Sequence, residues 1–218
     1  MDSRKYIARH TWGDSLRPKL LIATKNPGKV REYRILLKGV PFELVSPLDI
    51  GIKTAVAEVG KTFEENARLK AQTLAKESQL LTLADDSGLE VDALGGEPGV
   101  MSARYAGKKA TDTERINYLL AKLTDVPEDK RTARFRCVIA ITRPEGKTEI
   151  CSGACSGFIA LEPHGDNGFG YDPIFFIPEM SKTMAELPMA VKNRISHRGR
   201  AAKKARRLLY RIVRERDK

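Results

Sequence analysis

Leu83-Ala-Asp-Asp-Ser-Gly-Leu89 joins an apolar run to two adjacent carboxylates, a hydroxyl and a glycine, and the rest of the chain is organised around it. The apolar run that begins at Leu80 predicts a buried strand that delivers Asp85 and Asp86 to its end, where the chain turns. Because neighbouring side chains on a strand point to opposite faces, we expect one carboxylate to face a cleft and the other to bind backbone or a supporting group. An acidic turn that bonds to its own backbone is the alternative.

The composition is that of a globular protein. The chain has 218 residues, 41% of them hydrophobic, which is enough for one large domain or two small lobes. No window of about 18 apolar residues occurs, so no membrane-spanning segment is expected. Residues 1–18 lack the apolar segment of a secretory signal. They are interpreted as an N-terminal arm, with a disordered arm, a weak transit peptide and a cloning remnant as the options.

The three cysteines favour a reducing compartment, and a cytoplasmic location is expected. Cys137, Cys151 and Cys155 are an odd number, so they do not form a disulfide framework. Cys151 and Cys155 have the spacing of half a zinc site, but no second pair completes it. Cysteines on strands are therefore the better interpretation.

The net charge of +11 is concentrated at the two ends of the chain. Residues 1–19 contribute +3 and residues 198–218 contribute +8, whereas residues 20–197 carry equal numbers of acids and bases. A basic terminal helix is typical of a solvated face, and contact with phosphate or nucleic acid is the sharper alternative. The charge alone does not make the body of the chain a nucleic-acid binder.

A strand, a polar loop and a helix N-terminus follow one another from Lys19 onward. An apolar strand to Thr24 runs into Lys25-Asn-Pro-Gly-Lys29, and a helical pattern with Tyr33 on its apolar face comes next. Free N–H groups and the positive end of the helix dipole make such a turn a ready anion site, and the two lysines add charge. The Walker pattern is absent, and an ordinary strand–helix turn is the alternative.

A second helix is predicted after residue 62. Thr62 and Glu65 have the spacing of a capping box, and an apolar stripe follows at Phe63, Ala67, Ala71 and Leu74. Asn66 and Lys70 share a face of this helix because they are four residues apart, and Glu58 lies in the loop before it. A solvated Lys70 is the alternative to a functional one.

The middle of the chain is predicted to alternate between strands and a helix. Leu89–Leu94 alternates like a strand, and Thr111 with Glu114 forms a second capping box that opens a helix to about Leu123. The apolar segment 132–142 and its probable partner 149–161 are joined by a turn and predict a hairpin.

A glycine-rich stretch at 165–173 surrounds Phe169 and Tyr171 and precedes Asp172. Glycines on both sides of Phe169 suit an aromatic ring presented for stacking on a planar base, with a plain turn as the alternative.

Lys192, His197 and Arg198 come before or at the start of the last helix, which Ser196 is expected to cap. Anion or base-edge binding by His197 and Arg198 is favoured over a purely structural histidine.

Six motifs in this order resemble the inosine triphosphate pyrophosphatase family, also called the non-canonical purine NTP pyrophosphatases (HAM1/RdgB-like). The resemblance covers about Lys19 to Arg211, and the six motifs together are specific although each alone is weak. The motifs are Thr24-Lys-Asn-Pro-Gly-Lys29, Thr62-Phe-Glu-Glu-Asn-Ala67 with Lys70, Ala84-Asp-Asp-Ser-Gly88, Gly95-Gly-Glu-Pro-Gly99 with Ser102-Ala-Arg-Tyr105, Gly168-Phe-Gly-Tyr-Asp-Pro173 and Ile195-Ser-His-Arg198.

The resemblance implies an α/β fold with a long, twisted, mixed β-sheet, flanking helices and two lobes around a central cleft. Residues 19–218 would then form one two-lobed domain that ends in a basic helix, usually as a homodimer. The implied activity is Mg²⁺-dependent hydrolysis of ITP, dITP and XTP to the monophosphate and pyrophosphate, which cleanses the nucleotide pool.

The resemblance also implies roles for individual residues. Asp86 would be the general base and a metal ligand, Glu58 the second metal ligand, and Asp85 a supporting group. The residues expected to bind substrate are Thr24, Lys25, Asn26, Pro27, Gly28, Lys29, Lys70, Ser87, Phe169, Gly170, Tyr171, Asp172, Lys192, His197 and Arg198.

Two other functions stay open, and one departure stands out. A related house-cleaning pyrophosphatase could prefer another base, such as a modified pyrimidine. A non-catalytic binder of nucleotides or nucleic acid could use the basic C-terminal helix, although Glu58, Asp86, Lys29 and Lys70 together argue against it. Met189-Ala190 stands where the family often has an acidic pair, and Lys192 is expected to stay usable.

Overall fold

The computed structural model describes residues 17–216 of the chain, with side chains described to residue 215. The N-terminal arm expected at residues 1–18 therefore lies, apart from its last two residues, outside the described residues. None of the helices in the described part is long and apolar enough to cross a membrane.

Within residues 17–216, seven strands form one mixed sheet in the order β2-β1-β3-β4-β5-β6-β7. The first strand pairs in parallel with β2 and with β3, and all later neighbours are antiparallel. This mixed sheet with flanking helices confirms the predicted fold class. The strands are β1 (Lys19–Ile22), β2 (Glu43–Val45), β3 (Leu81–Val91), β4 (Thr132–Thr142), β5 (Thr148–Ile159), β6 (Phe175–Ile177) and β7 (Lys182–Thr183).

Helices cover the sheet because each carries an apolar stripe that must be buried. The helix stripe predicted at Phe63, Ala67, Ala71 and Leu74 is buried, and in the last helix Ala201, Ala205 and Leu208 are buried while Ile212 is partly buried. The two stripes belong to different core clusters, which also include different side chains of β1 and β4. The helices are α1 (Pro27–Leu36), α2 (Phe63–Ser78), α3 (Asp112–Lys122), α4 (Met189–Ile195) and α5 (His197–Arg216).

Side-chain caps fix where α2, α3 and α5 begin. Thr111 and Glu114 form the predicted capping box at α3. At α2, Thr62 accepts the N–H of Glu65, but the Glu65 carboxylate accepts the N–H of Lys61 instead of closing the box on Thr62. Ser196 Oγ accepts the N–H of Gly199 and so caps α5, as predicted.

The strand β3 is longer than predicted, and it does not turn after the two aspartates. It continues without interruption from Leu81 to Val91 and pairs with β4 over most of that length. The predicted turn was wrong because Gly88 serves a close approach: a Cβ there would lie 2.4 Å from the Gly99 carbonyl oxygen. The separate strand predicted at Leu89–Leu94 is therefore the end of β3 followed by a short 3-10 turn.

The basic terminal helix α5 is docked through its charges as well as through its apolar stripe. Arg200 and Lys204 donate to the carbonyls of Ala154 and Ser152 in β5, at 2.9 and 2.7 Å. Arg206 donates to the carbonyl of Lys38 at 2.6 Å, just beyond α1. Part of the C-terminal positive charge is thus used inside the fold, and α5 reaches the middle of the sheet with its first turn.

Candidate active site

A cavity of about 360 Å³ lies beside the middle of β3, and most of the predicted site residues line it. They come from the β1–α1 loop, the loop before α2, α2 itself, β3, the loop before β6, and helices α4 and α5. Pro27 and Gly28 are the two that do not line it. The lining includes Thr24, Lys25, Asn26, Lys29, Glu58, Lys70, Asp86, Ser87, Phe169, Gly170, Tyr171, Asp172, Lys192, His197 and Arg198.

The adjacent carboxylates on β3 point to different partners, as the alternation along the strand predicted. Asp86 lines the cavity, and its Oδ2 accepts a hydrogen bond from Asn66 Nδ2 at 3.0 Å. Asp85 is buried, with its Oδ2 2.9 Å from Lys29 Nζ and 3.6 Å from Arg198 Nη2. One carboxylate therefore faces the cleft, and the other holds two of the cations around it.

The two carboxyl groups have opposite pKa shifts. Burial raises the pKa of Asp86, the neighbouring Glu58 adds to the rise, and Lys70 opposes it. Burial also works to raise the pKa of Asp85, but the Lys29 and Arg198 cations outweigh it and hold that pKa well below its usual range. Asp85 is thus a fixed negative charge, whereas Asp86 is the more basic carboxylate.

Replacing Asp85 by asparagine is expected to destabilise the protein by about 3 kcal/mol at pH 7, because the buried Arg198 and the partly buried Lys29 lose a partner. A carboxyl with a depressed folded-state pKa stabilises the fold above its unfolded pKa of about 3.9 and loses this effect as the pH falls below that value. The difference between Asp85→Asn and the wild type should therefore shrink below about pH 4. Urea unfolding at pH 7, 5 and 3.5 measures it, and a difference that grows with acid would contradict this account.

A second group of charges surrounds Glu58 and Asp86. Lys70 Nζ lies 2.7 Å from Glu58 Oε1 and 3.4 Å from Asp86 Oδ1, so its ammonium bridges the two carboxylates. Arg104 adds a 3.3 Å ion pair to the other oxygen of Glu58. Burial raises the pKa of Glu58, but Lys70, Lys29 and Arg104 together outweigh it and the net shift is downward. Glu58 is thus held ionised, and the Lys70 ammonium lies between the oxygens of the two carboxylates.

The donor set of this pair suits a hard divalent cation. Carboxylate oxygens are the protein ligands that Mg²⁺ accepts, usually only one or two of them alongside water and substrate phosphate. No group of three or more His, Cys, Asp and Glu side chains that could hold a metal ion occurs among residues 17–216. The two carboxylates therefore fit an ion that completes its shell with water and phosphate oxygens.

The cysteines are buried and free, on β4 and β5 as predicted.

The β1–α1 loop forms the predicted strand–loop–helix turn. Asn26 Oδ1 accepts the N–H of Lys29 at 3.1 Å and caps α1, and Thr24 Oγ1 accepts the N–H of Asn26 at 3.2 Å. Lys25 Nζ donates to the Lys53 carbonyl at 2.8 Å. Two side chains of this turn thus accept backbone N–H groups of the same turn, and the positive end of the α1 dipole lies beside the cavity.

A buried ionic network also borders the cavity. Lys192 Nζ lies 2.5 Å from Asp172 Oδ2 and 2.8 Å from Glu32 Oε1. Arg198 donates to Glu32 at 2.7 Å and to Ser87 Oγ at 2.8 Å. The cations also face an aromatic ring, because Lys192 Nζ and Arg198 Cζ lie 4.9 and 5.5 Å from the ring centroid of Phe169.

Three predicted residues act differently from the simplest expectation. Gly28 lies beneath Phe169, since a Cβ on Gly28 would be 2.8 Å from the ring atom Cδ1. Tyr171 is buried, and its hydroxyl donates to the Ser102 carbonyl at 3.0 Å. His197 is buried and stacks on Phe135 with ring centroids 4.6 Å apart. Burial, aided by Arg198, lowers the pKa of His197 well below its ordinary value, so its ring is neutral.

Sequence reasoning missed four residues that shape the cavity. Glu32 pairs with Lys192 and Arg198, but in the sequence it is one charged residue of an amphipathic helix. Asn66 had been placed on the face of Lys70, a signal that could have found its bond to Asp86. Asp112 and Arg115 line the cavity from the first turn of α3, where an acidic residue is ordinary.

Known proteins are similar to this chain in sequence and in fold over nearly its whole length. The model of the Ham1 family matches residues 20–208. The chain is 49% identical over 191 residues to a dITP/XTP pyrophosphatase of Bacillus licheniformis, covering 88% of this chain and 97% of that protein. It is 52% identical over 194 residues to a dITP/XTP pyrophosphatase of Desulforamulus reducens, covering 89% and 96%.

Solved structures of Ham1 proteins have the same fold as this chain. A HAM1 protein from Coxiella burnetii superposes with a TM-score of 0.82 at 42% identity and covers 89% of this chain and 99% of its own. The Ham1 protein of Staphylococcus aureus superposes with a TM-score of 0.79 at 42% identity, with coverage of 88% and 98%. The family model, the sequence relatives and the structural neighbours agree with the predicted resemblance, and the chain belongs to the Ham1 family.

Proposed function

We propose that this chain is a nucleoside triphosphate pyrophosphatase that hydrolyses dITP, ITP and XTP to the monophosphate and pyrophosphate. The observation that carries the proposal is one cavity lined both by Asp86 and Glu58, with Lys70 between them, and by the Phe169 ring with the buried cations that face it. Relatives about half identical to this chain bear the name dITP/XTP pyrophosphatase.

Asp86 is proposed as the general base that takes a proton from the attacking water. A base works best when its pKa lies closer to the working pH, and burial raises the pKa of Asp86 in that direction. Asn66 donates to its Oδ2 and fixes the orientation of the carboxylate. Lys70 stays protonated beside it, because Asp86, Asp85 and Glu58 together outweigh the effect of burial and raise the pKa of the ammonium.

Glu58 and Asp86 would hold Mg²⁺ through their carboxylate oxygens, which the Lys70 ammonium bridges at 2.7 and 3.4 Å. When bound, the ion supplies charge neutralisation for the phosphates at the reacting centre. Lys70, Lys29 and Lys25, with the N-terminus of α1 and its cap Asn26, would bind the polyphosphate. Thr24, Pro27 and Gly28 shape the turn that places them.

The base would stack on Phe169, and the donors in the network around Lys192 would select it. The Lys192 ammonium has three N–H donors and two carboxylate partners, and His197 and Arg198 begin α5 beside it. Donors in this position favour a 6-keto oxygen, whereas the amino group of adenine would leave them unpaired. Ser87, Gly170, Tyr171 and Asp172 would position these groups around the base and sugar.

We also propose that the protein acts as a cytoplasmic homodimer. The support is the family resemblance and the three buried free cysteines, which suit a reducing compartment. Light scattering on the purified full chain measures the oligomeric state directly.

The proposed function predicts a strong dependence on the base and on the metal. With Mg²⁺, the full chain should release pyrophosphate from dITP, ITP and XTP at least about 100-fold faster, in kcat/KM, than from ATP, because unpaired buried donors discriminate strongly. EDTA should abolish the reaction. A panel that adds dCTP and a modified pyrimidine triphosphate distinguishes another base preference. Equal rates with ATP, or no release from any purine triphosphate, would contradict the proposal.

A further inference from the structure

We infer that Asp112 is a positioning residue for base binding, because it holds Phe169 in place through the backbone of Gly170. The inference rests on the proposed function, in which Phe169 stacks on the base. The Gly170 N–H donates to Asp112 Oδ2 at 2.7 Å, although the two residues are 58 positions apart. This bond ties the loop that carries the aromatic ring to the N-terminus of α3.

The α3 side of this link is built to stay in place. Thr111 and Glu114 close a full capping box, which fixes the first turn of the helix where Asp112 lies. Arg115 forms an ion pair with the Asp112 carboxylate and also donates to the carbonyls of Ala110 and, at 3.2 Å, Ala103. The acceptor for Gly170 is therefore a charged group whose position a cap and a guanidinium both restrict.

The loop side needs such an anchor. Residues 161–168 before Phe169 are exposed, whereas Tyr171 and Asp172 after it are buried. Asp172 Oδ2 accepts the Phe169 N–H at 2.9 Å, and the Tyr171 hydroxyl is held by the Ser102 carbonyl. The Asp112 bond secures the peptide between these two anchors.

Loss of the Asp112 bond should weaken substrate binding and leave the rate of the chemical step nearly unchanged. In the proposed function Phe169 contacts the base, whereas Asp86 and Glu58 act where the phosphate bond is cleaved. An interaction that is equal in the bound substrate and in the transition state lowers KM without raising kcat. A loosened ring should therefore raise KM and leave kcat nearly unchanged.

The experiment compares Asp112→Ala with Asp112→Asn in the full chain. Without nucleotide, hydrogen exchange in a peptide that contains Gly170 should be at least about tenfold faster in the alanine variant, since a charge-assisted hydrogen bond is lost. With dITP and Mg²⁺, its KM should rise about tenfold while kcat changes less than about threefold. Asparagine keeps an acceptor oxygen and should restore both values to within about threefold of the wild type.

Glu114→Ala is the matched control, because it weakens the same helix turn without touching Gly170. An equal rise of KM in Glu114→Ala, or unchanged exchange and KM in Asp112→Ala, would overturn the inference. If the alanine variant does not fold, a tenfold rise of KM in Asp112→Asn with Gly170 still protected would overturn it too. A wild-type protein that hydrolyses no dITP contradicts the proposed function instead, and the exchange comparison still tests the anchor.

Discussion

Replacing Asp86 by asparagine should lower kcat for dITP by roughly a thousandfold, which is the size of effect expected for a lost general base. Asparagine has nearly the same shape and can still contact Asn66, but it cannot take a proton or hold a cation beside Glu58. The fold should survive, because burial already disfavours the charge that the substitution removes. Steady-state release of pyrophosphate measures kcat, and thermal unfolding measures the fold.

The control for this variant is Asp92→Asn, since Asp92 directly follows β3 and its side chain is exposed to solvent while paired with Arg134. It should turn over dITP at the wild-type rate. If Asp86→Asn keeps more than about a tenth of the wild-type kcat, Asp86 is not the base, because that loss is below the range for this role.

Replacing Lys192 by methionine should destabilise the protein by about 3–5 kcal/mol, because it breaks a buried ion pair and leaves the carboxylates uncompensated. Lys192, Glu32 and Asp172 are each no more than 3% exposed. Glu32 retains Arg198, but Asp172 loses a cation that lowers its pKa. Urea unfolding at pH 7 measures the loss of stability.

The pH dependence of this variant has a defined sign. Burial already raises the pKa of Asp172, and removing Lys192 should raise it further. A carboxyl with a folded-state pKa above its unfolded value destabilises the fold when it is ionised, so acid relieves the penalty. Lys192→Met should therefore recover part of its loss between pH 7 and 5. Lys122→Met, which breaks an exposed pair with Glu97, should change stability far less and show no such recovery.

Periodicity and helix caps were enough to predict most of the elements. The segment 132–142 is the strand β4, Thr111 with Glu114 opens α3, and the stripe from Phe63 to Leu74 is buried. These signals are local, because they depend on side chains a few residues apart. The alternation of Asp85 and Asp86 is a signal of the same kind, and the structure confirms that they face different partners.

The errors and omissions concern contacts between distant segments. A glycine at position 88 is typical of a turn. Here the glycine is needed because the Gly99 backbone approaches too closely for a side chain, and no neighbouring residue in the sequence indicates that approach. Glu32 pairs with Arg198 across 166 positions, and Asp112 reaches Gly170 across 58. Such pairs follow from the order of strands in the sheet and the docking of α5, and a single sequence contains no periodic signal for either.

The position of Arg198 in the last helix has a consequence for synthesis of the protein. Asp85, Glu32 and Ser87 all contact Arg198, and α5 binds the carbonyls of β5 through Arg200 and Lys204. A nascent chain that is still in the ribosomal tunnel beyond α4 lacks this cation and cannot complete the cavity. Hydrolysis of nucleotides should thus begin only after α5 has left the ribosomal tunnel and docked, and a premature stop codon just before α5 should abolish it entirely.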